Sequence, residues 1–313
     1  MREKNNKGGK LILVTGIMAI IIVTICAFGK RSITHKYYEY NIDKKYSNIN
    51  ENEYYIDDNF NYVENYRGTG VKNKEELFNY IYYALNSGIE HSERYIDERY
   101  VDYSRDINEL TKDNGRKFKG QISILNNFVH PYNSSDNIKL SYGSEYTFGI
   151  TINKAYTDKE VEEINEVVDK VINEKTNNSM PIREKIRIIH DYIIDNTEYD
   201  KLKNENINDD TYKSQTAYGA LIEGYATCNG YSDAMAIFLD KLNVINYKIS
   251  NDEHIWNLVY LDGKWYHLDL TWDDPISDSN INRDTYFLIT TSDLEELNDG
   301  THEFNKKIYS EAV

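Results

Sequence analysis

Three residues far apart in the chain have the types that acyl transfer through sulfur requires: Cys228, His254 and Asp269. A thiol attacks a carbonyl as its thiolate, so it needs a base within reach and surroundings that favour the anion. Cys228 stands in Tyr225-Ala226-Thr227-Cys228-Asn229-Gly230-Tyr231, and it is the single cysteine outside an apolar N-terminal stretch. Behind it Tyr231, Ala234 or Met235, Phe238 and Leu242 recur every three to four residues, which predicts a helix with one apolar face. The thiol is then expected at a helix N-terminus, where unpaired amides carry partial positive charge. A buried, inert cysteine is the commoner state of this residue, so a catalytic reading depends on a partner.

The partner is expected from the hairpin downstream. The apolar and aromatic runs 254–261 and 264–270 flank Asp262-Gly263, the strongest short hairpin signal. A two-residue turn sets the register, with Leu261 facing Lys264 and Tyr260 facing Trp265. Continued outward, Asp269 lies opposite Trp256 and diagonal to His254 on one face, within reach of long side chains. The carboxylate could orient the imidazole while its other nitrogen faces the thiol. His267 shares that face and is an alternative base, but a residue so near Asp269 on the same strand is expected to pack or cap. A metal site from Cys228, His254, His267 and Asp269 lacks paired C-x-x-C or H-x-x-x-H spacing. No glycine-rich phosphate loop joins a strand to a helix. No cofactor or metal is expected.

Three ordered stretches carry a family likeness: IHDYIIDNTEYD (189–200), AYGALIEGYATCNGYSDAMAIFLDKLNV (217–244) and HIWNLVYLDGKWYHLDLTWDDP (254–275). Together they resemble the transglutaminase-like superfamily of papain-related cysteine enzymes, most of all its bacterial secreted or membrane-anchored members. The resemblance covers about a third of the chain. It implies Cys228 as nucleophile, His254 as the base of an H-x-W-N strand and Asp269 as third member. Thr227 departs from the apolar residue that often precedes the cysteine. The resemblance implies an α+β, papain-like fold in which the helix bearing the cysteine packs on an antiparallel sheet bearing His254 and Asp269. It leaves three functions open, because the superfamily contains crosslinking acyltransferases, peptidases and inactive members. The expected partner is a protein or peptide amide. Gln215 and Tyr218 are candidates for a second oxyanion donor, since Ile222 stands where papain-like enzymes place a glutamine.

The elements around these motifs follow from pattern. Leu11 to Phe28 is apolar and uncharged, flanked by Lys10 and by Lys30-Arg31, with a length near the roughly 17–25 residues that span a bilayer. Arg2, Lys4, Lys7 and Lys10 favour a cytoplasmic N-terminus. The expectation is a signal-anchor transmembrane helix and a single-pass cell-membrane protein with its catalytic part outside; a cleaved signal peptide and a secreted protein are the rival. The net charge of −16, more acidic still past residue 30, disfavours a nucleic-acid surface. The expected organisation is a tail over 1–10, the membrane segment over 11–29, a Tyr-rich polar stalk over 30–70, a small α+β region over 71–155 and the catalytic domain over 156–313. In the 71–155 region Asn73 caps a helix to Asn86 and residues 138–142 and 146–152 alternate as strands, and Thr157 to Glu160 at the start of the catalytic domain is a capping box. Pro181 opens another helix whose stripe is Ile182, Ile186, Ile189 and Ile193, with His190 and Asp191 read as structural hydrogen-bonding residues. The acidic loop 204–210 lacks calcium-loop spacing, and the stretch after Asn298 gives no signal.

Overall fold

Asn73 starts the helix α1 (Lys74–Asn86) by accepting the Glu76 amide at 2.9 Å. The computed structural model describes residues 24, 29–30, 33–42, 44–45, 50–58, 60–111, 120–142, 146–274 and 283–313. Four strands lie beside α1: β1 (Gly70–Val71), β2 (His91–Ile96), β3 (Ser135–Tyr142) and β4 (Thr147–Lys154), in the order β1-β2-β4-β3. The β1–β2 pair is parallel and the others antiparallel. The expected turn between β3 and β4 falls at 143–145, outside the described residues.

The second half begins with α2 (Asp158–Lys175), where Thr157 and Glu160 form the reciprocal capping box, and Ile164, Val168 and Val171 are buried. In α3 (Ile182–Asn196) Pro181 is the cap residue, one position before the helix, and Ile186, Ile189 and Ile193 face inward. A short parallel pair, β5 (Glu198–Tyr199) and β6 (Tyr225–Ala226), leads into α4 (Cys228–Lys241). A second four-stranded sheet follows. Its strands β7 (Asn246–Ser250), β8 (Ile255–Leu261), β9 (Lys264–Leu268) and β10 (Phe287–Ile289) are antiparallel in the order β10-β9-β8-β7.

The hairpin adopts the expected register, Leu261 on Lys264 through Asn257 on Leu268. Asp262 (φ 51°) and Gly263 (φ 82°) both occupy the left-handed region that a primed two-residue turn demands. Alternate residues of β8 enter two cores. Val259 and Leu261 join Tyr231 and Phe238 of α4, whereas Trp256 and Leu258 join Phe128 and Leu77 of α1. The sheet that carries His254 and Asp269 is thus covered on both faces, which restrains it against sliding.

The expected N-terminal transmembrane helix is corrected. Among the described residues no helix is long and apolar enough to cross a membrane. The segment 11–28, apart from Thr24, lies outside them. The fold is accordingly α+β without a membrane-spanning element among the described residues, and the single-pass localisation and membrane contact inferred from that helix fall with it.

Candidate active site

Cys228 is the first residue of α4, with Thr227 as its cap in extended conformation (φ −91°, ψ 178°). The side chain is neither buried nor fully exposed, and it is not part of a disulfide. The backbone of 214–216 lies across this helix start. Ser214 accepts the Thr227 amide at 2.8 Å, and the Gln215 carbonyl accepts the Asn229 side chain at 2.5 Å. Gly230 makes that approach possible, because a Cβ there would stand 2.4 Å from the Ser214 oxygen and 2.9 Å from that of Thr216. Gly230→Ala is therefore expected to destabilise the fold by about 1–3 kcal/mol as the loop is forced outward. A urea midpoint equal to the wild-type value would contradict this.

Two side chains tie the cysteine helix to the histidine strand. The Ser232 hydroxyl donates toward the carbonyls of Cys228 (2.8 Å) and Ile255 (3.1 Å). The buried Asn257 amide donates to the Ser232 carbonyl at 3.0 Å. That contact supplies a physical reason for asparagine in the H-x-W-N stretch. His254 itself is set by the turn before β8, where the Asn251 side chain accepts the Glu253 and His254 amides, both at 2.9 Å.

His254 is 5 % exposed, and its Nε2 lies 2.5 Å from Oδ2 of Asp269. The Trp256 indole stacks on it at 5.6 Å and 16°. Cys228 acts on the same imidazole and raises its pKa alongside Asp269. With Nε2 taken by the carboxylate, Nδ1 is the nitrogen left to face sulfur. Burial by itself would push the imidazole pKa down. The charge and hydrogen bond of Asp269, joined by Cys228, outweigh it and raise the value to about 10. For Asp269 burial likewise opposes the charged form, and the His254 charge with hydrogen bonds from His254 and His302 holds the carboxyl well below its usual range.

Asp269 ends the hairpin and caps the short helix α5 (Leu270–Asp273), its Oδ1 accepting the amides of Thr271 (2.8 Å) and Trp272 (3.3 Å). Its Oδ2 also faces Nε2 of His302 at 2.8 Å, and the other nitrogen of His302 faces Asp299 at 2.7 Å. His302 follows α6 (Thr291–Leu297) in the stretch that carried no sequence signal. No periodicity or motif marks it; only the tertiary path brings it here. Tyr199 of β5 was also unmarked as a site residue. Its hydroxyl pKa is raised to about 12, first by burial and then by the negative charge of Cys228, which places it within electrostatic reach of the sulfur.

The structure gives the other sequence candidates different surroundings. His267 is buried, accepts the Trp256 indole N–H at 3.0 Å and meets Thr291 at 2.9 Å with its other nitrogen. Burial and the charge of His302 push its pKa down to about 3, which makes it a neutral strut. His190 of α3 bridges Asp191 (2.9 Å) and Asp273 (3.2 Å). Gln215 is exposed, and Glu163 raises the hydroxyl pKa of the half-buried Tyr218. Among the described contacts none joins either side chain to Cys228.

His254, Asp269 and His302 each offer a ligand atom within 4.8 Å of one another, a donor set that fits a divalent metal in type. Hydrogen bonds between imidazole and carboxylate already use those atoms, so the set reads as a hydrogen-bonded chain. A cleft of about 730 Å³ opens beside the His254 turn, lined by Asn251, Glu253, Thr301, Phe304 and Tyr309 among others. Cys228 is not among its lining residues, which makes the cleft a flank of the site and not its floor.

A family model described as the transglutaminase-like superfamily matches residues 166–270, a span that contains Cys228, His254 and Asp269 and ends before His302. No curated protein matches the chain. Among solved structures, one described as a TGase is 18 % identical, with a TM-score of 0.32 and coverage of 47 % of this chain and 46 % of its own. A candidate cysteine protease from Cytophaga hutchinsonii is 15 % identical, with a TM-score of 0.27 and coverage of 43 % and 61 %. The chain thus spans 46 % and 61 % of the lengths of these two structures.

Proposed function

Residues 166–270 are a domain of the transglutaminase-like superfamily, and from that premise we propose that the protein transfers acyl groups from protein or peptide amides through a thioester on Cys228. The observation that carries the reading is the buried His254 ring, anchored on the Asp269 carboxylate and within electrostatic reach of Cys228 at the start of α4. Nδ1 of His254 takes the thiol proton, and the resulting imidazolium stands beside the thiolate. The sulfur lone pair forms a C–S bond to the amide carbonyl, and the oxyanion is met by the Cys228 amide at the helix start. The imidazolium returns its proton to the departing nitrogen as the C–N bond breaks. A second amine or a water then loses its proton to His254, attacks the thioester, and the C–S bond breaks to regenerate the thiolate.

Asp269 acts on the ring and not on substrate. Its charge favours the imidazolium and its fixed Oδ2 selects the ring orientation. An intact set of thiol, charged imidazole and anchored carboxylate supports an enzyme over a binding module of the same fold. Incubation with a glutamine-containing protein and a labelled primary amine tests the reading. Cys228-dependent incorporation of label supports amine transfer, and Cys228-dependent cleavage without incorporation supports hydrolysis. Neither product above a Cys228→Ala control would sink both.

A further inference from the structure

We propose that His302 is a positioning residue for this site: it holds the same Asp269 oxygen that His254 meets, so that the catalytic arrangement is completed by a segment beyond the family match. The inference rests on the Cys228–His254 reading above. Its basis is a built site, not a loose contact. Asn298 (φ 47°) ends α6 in the left-handed region and turns the chain, and Gly300 (φ 73°) continues the turn. Asp299 then accepts the amides of Thr301 (2.8 Å) and His302 (3.2 Å) through Oδ1. From the other side Asn251, which also sets the His254 turn, donates to the carbonyls of Thr301 (2.5 Å) and Glu303 (2.8 Å). The backbone of His302 is therefore gripped by the same turn that places His254.

The ring is held as closely. Its side chain is 2 % exposed. Tyr286 stacks on it at 4.8 Å and 24°, and Trp256 and Trp272 meet it edge-on at 4.9 and 5.2 Å. The titratable groups around it are Asp269, Asp299, His254, His267, which its charge reaches, and the Tyr286 hydroxyl, which donates to Asp299 at 3.0 Å. Asp269 then has four donors: two backbone amides on Oδ1 and two imidazoles on Oδ2. A carboxylate so filled cannot rotate about its Cβ–Cγ bond. Its Oδ2 stays where His254 needs it, and the His254 plane is fixed in turn. Without His302 one lone-pair direction of Oδ2 is released and the buried carboxylate loses a donor that stabilises its charge.

The test compares His302→Phe, which keeps a ring and removes both nitrogens, with His302→Gln, whose amide N–H can stand near the lost Nε2. In the transfer assay His302→Phe is expected to lower kcat on the order of 10²-fold with KM within about twofold, and His302→Gln to recover most of the loss. A readout without substrate accompanies it: the rate of Cys228 alkylation by iodoacetamide. With His254 less firmly charged, the Phe variant is expected to react more slowly near pH 6 while approaching the wild-type rate at high pH, and the Gln variant to follow the wild type. Wild-type alkylation and kcat in the Phe variant would overturn the proposal, as would equal losses in both variants that follow their melting temperatures. If the Phe variant does not fold, Asp299→Asn, which weakens the acceptor on the other ring nitrogen, is put through the same comparison. A wild-type protein that alkylates as described but turns over no amide separates failure of the proposed function from failure of this one.

Discussion

Cys228→Ala is expected to reduce kcat on the order of 10⁶-fold, to the level left by binding and the oxyanion donor. The step it removes has no substitute. His254 polarises nothing without the sulfur, and the second cysteine of the chain, Cys26, lies outside the described residues. The side chain is only partly buried at the first position of α4, where alanine is a good helix former. Stability should therefore change by about 0.5 kcal/mol or less, within the range of substitutions that break no packing. The pairing of a lost rate with an unchanged melting curve is what marks a nucleophile. Residual turnover within about tenfold of wild type would exclude Cys228 from that role.

Asp269→Asn is expected to cost on the order of 10⁴-fold in kcat, the scale seen when a triad carboxylate becomes an amide. Oδ1 is committed to the amides of Thr271 and Trp272, so the new NH₂ group takes the place of Oδ2 and points at the two imidazoles. Nε2 of His254 must then accept, which leaves the proton on Nδ1 and blocks removal of the thiol proton. The pH dependence follows with a definite sign. The His254 pKa is raised from 6.5 to about 10 in the folded chain. Stability from the charged ring is fully present below 6.5 and lost as pH rises through 10. The Asp269 carboxyl is lowered, so its contribution is present above 3.8 and lost as pH falls through the folded value. Stability from the pair is greatest between those two unfolded values, and the wild type should exceed Asp269→Asn most there. Melting temperature against pH checks this. An identical profile for wild type and Asp269→Asn would show that the pair contributes nothing.

Much of the local structure was legible from residue types. Asp262-Gly263 tolerates the two positive φ angles that a primed turn requires, so the hairpin register could be counted outward from it to Asp269. The apolar stripe of α4, the Asn73 cap and the Thr157–Glu160 box are likewise consequences of short-range geometry. The run 50–69 illustrates the opposite case. Its polar, Tyr-rich composition has no period, yet Val63 is buried and Phe60 packs on Phe128 and Tyr247, because α1 and the second sheet together provide a surface for it. The apolar segment 11–28 read as a membrane span on length and flanking charge alone, and the described residues contain no such helix.

By itself the sequence determined what depends on neighbours within a turn or a hairpin: that a cysteine begins a helix, and that a histidine and an aspartate share one face of a two-stranded unit. Periodicity and turn chemistry act over a few residues, so they can be read without knowing where the chain goes next. Only the tertiary structure decided which partners those residues keep. It set the 214–216 loop over Gly230, removed His267 from contention by pairing it with Trp256 and Thr291, and brought His302 against Asp269 from 33 residues away. Such contacts join points whose separation along the chain carries no pattern; they form because two cores, one on each face of β8, fix the paths of the segments between them.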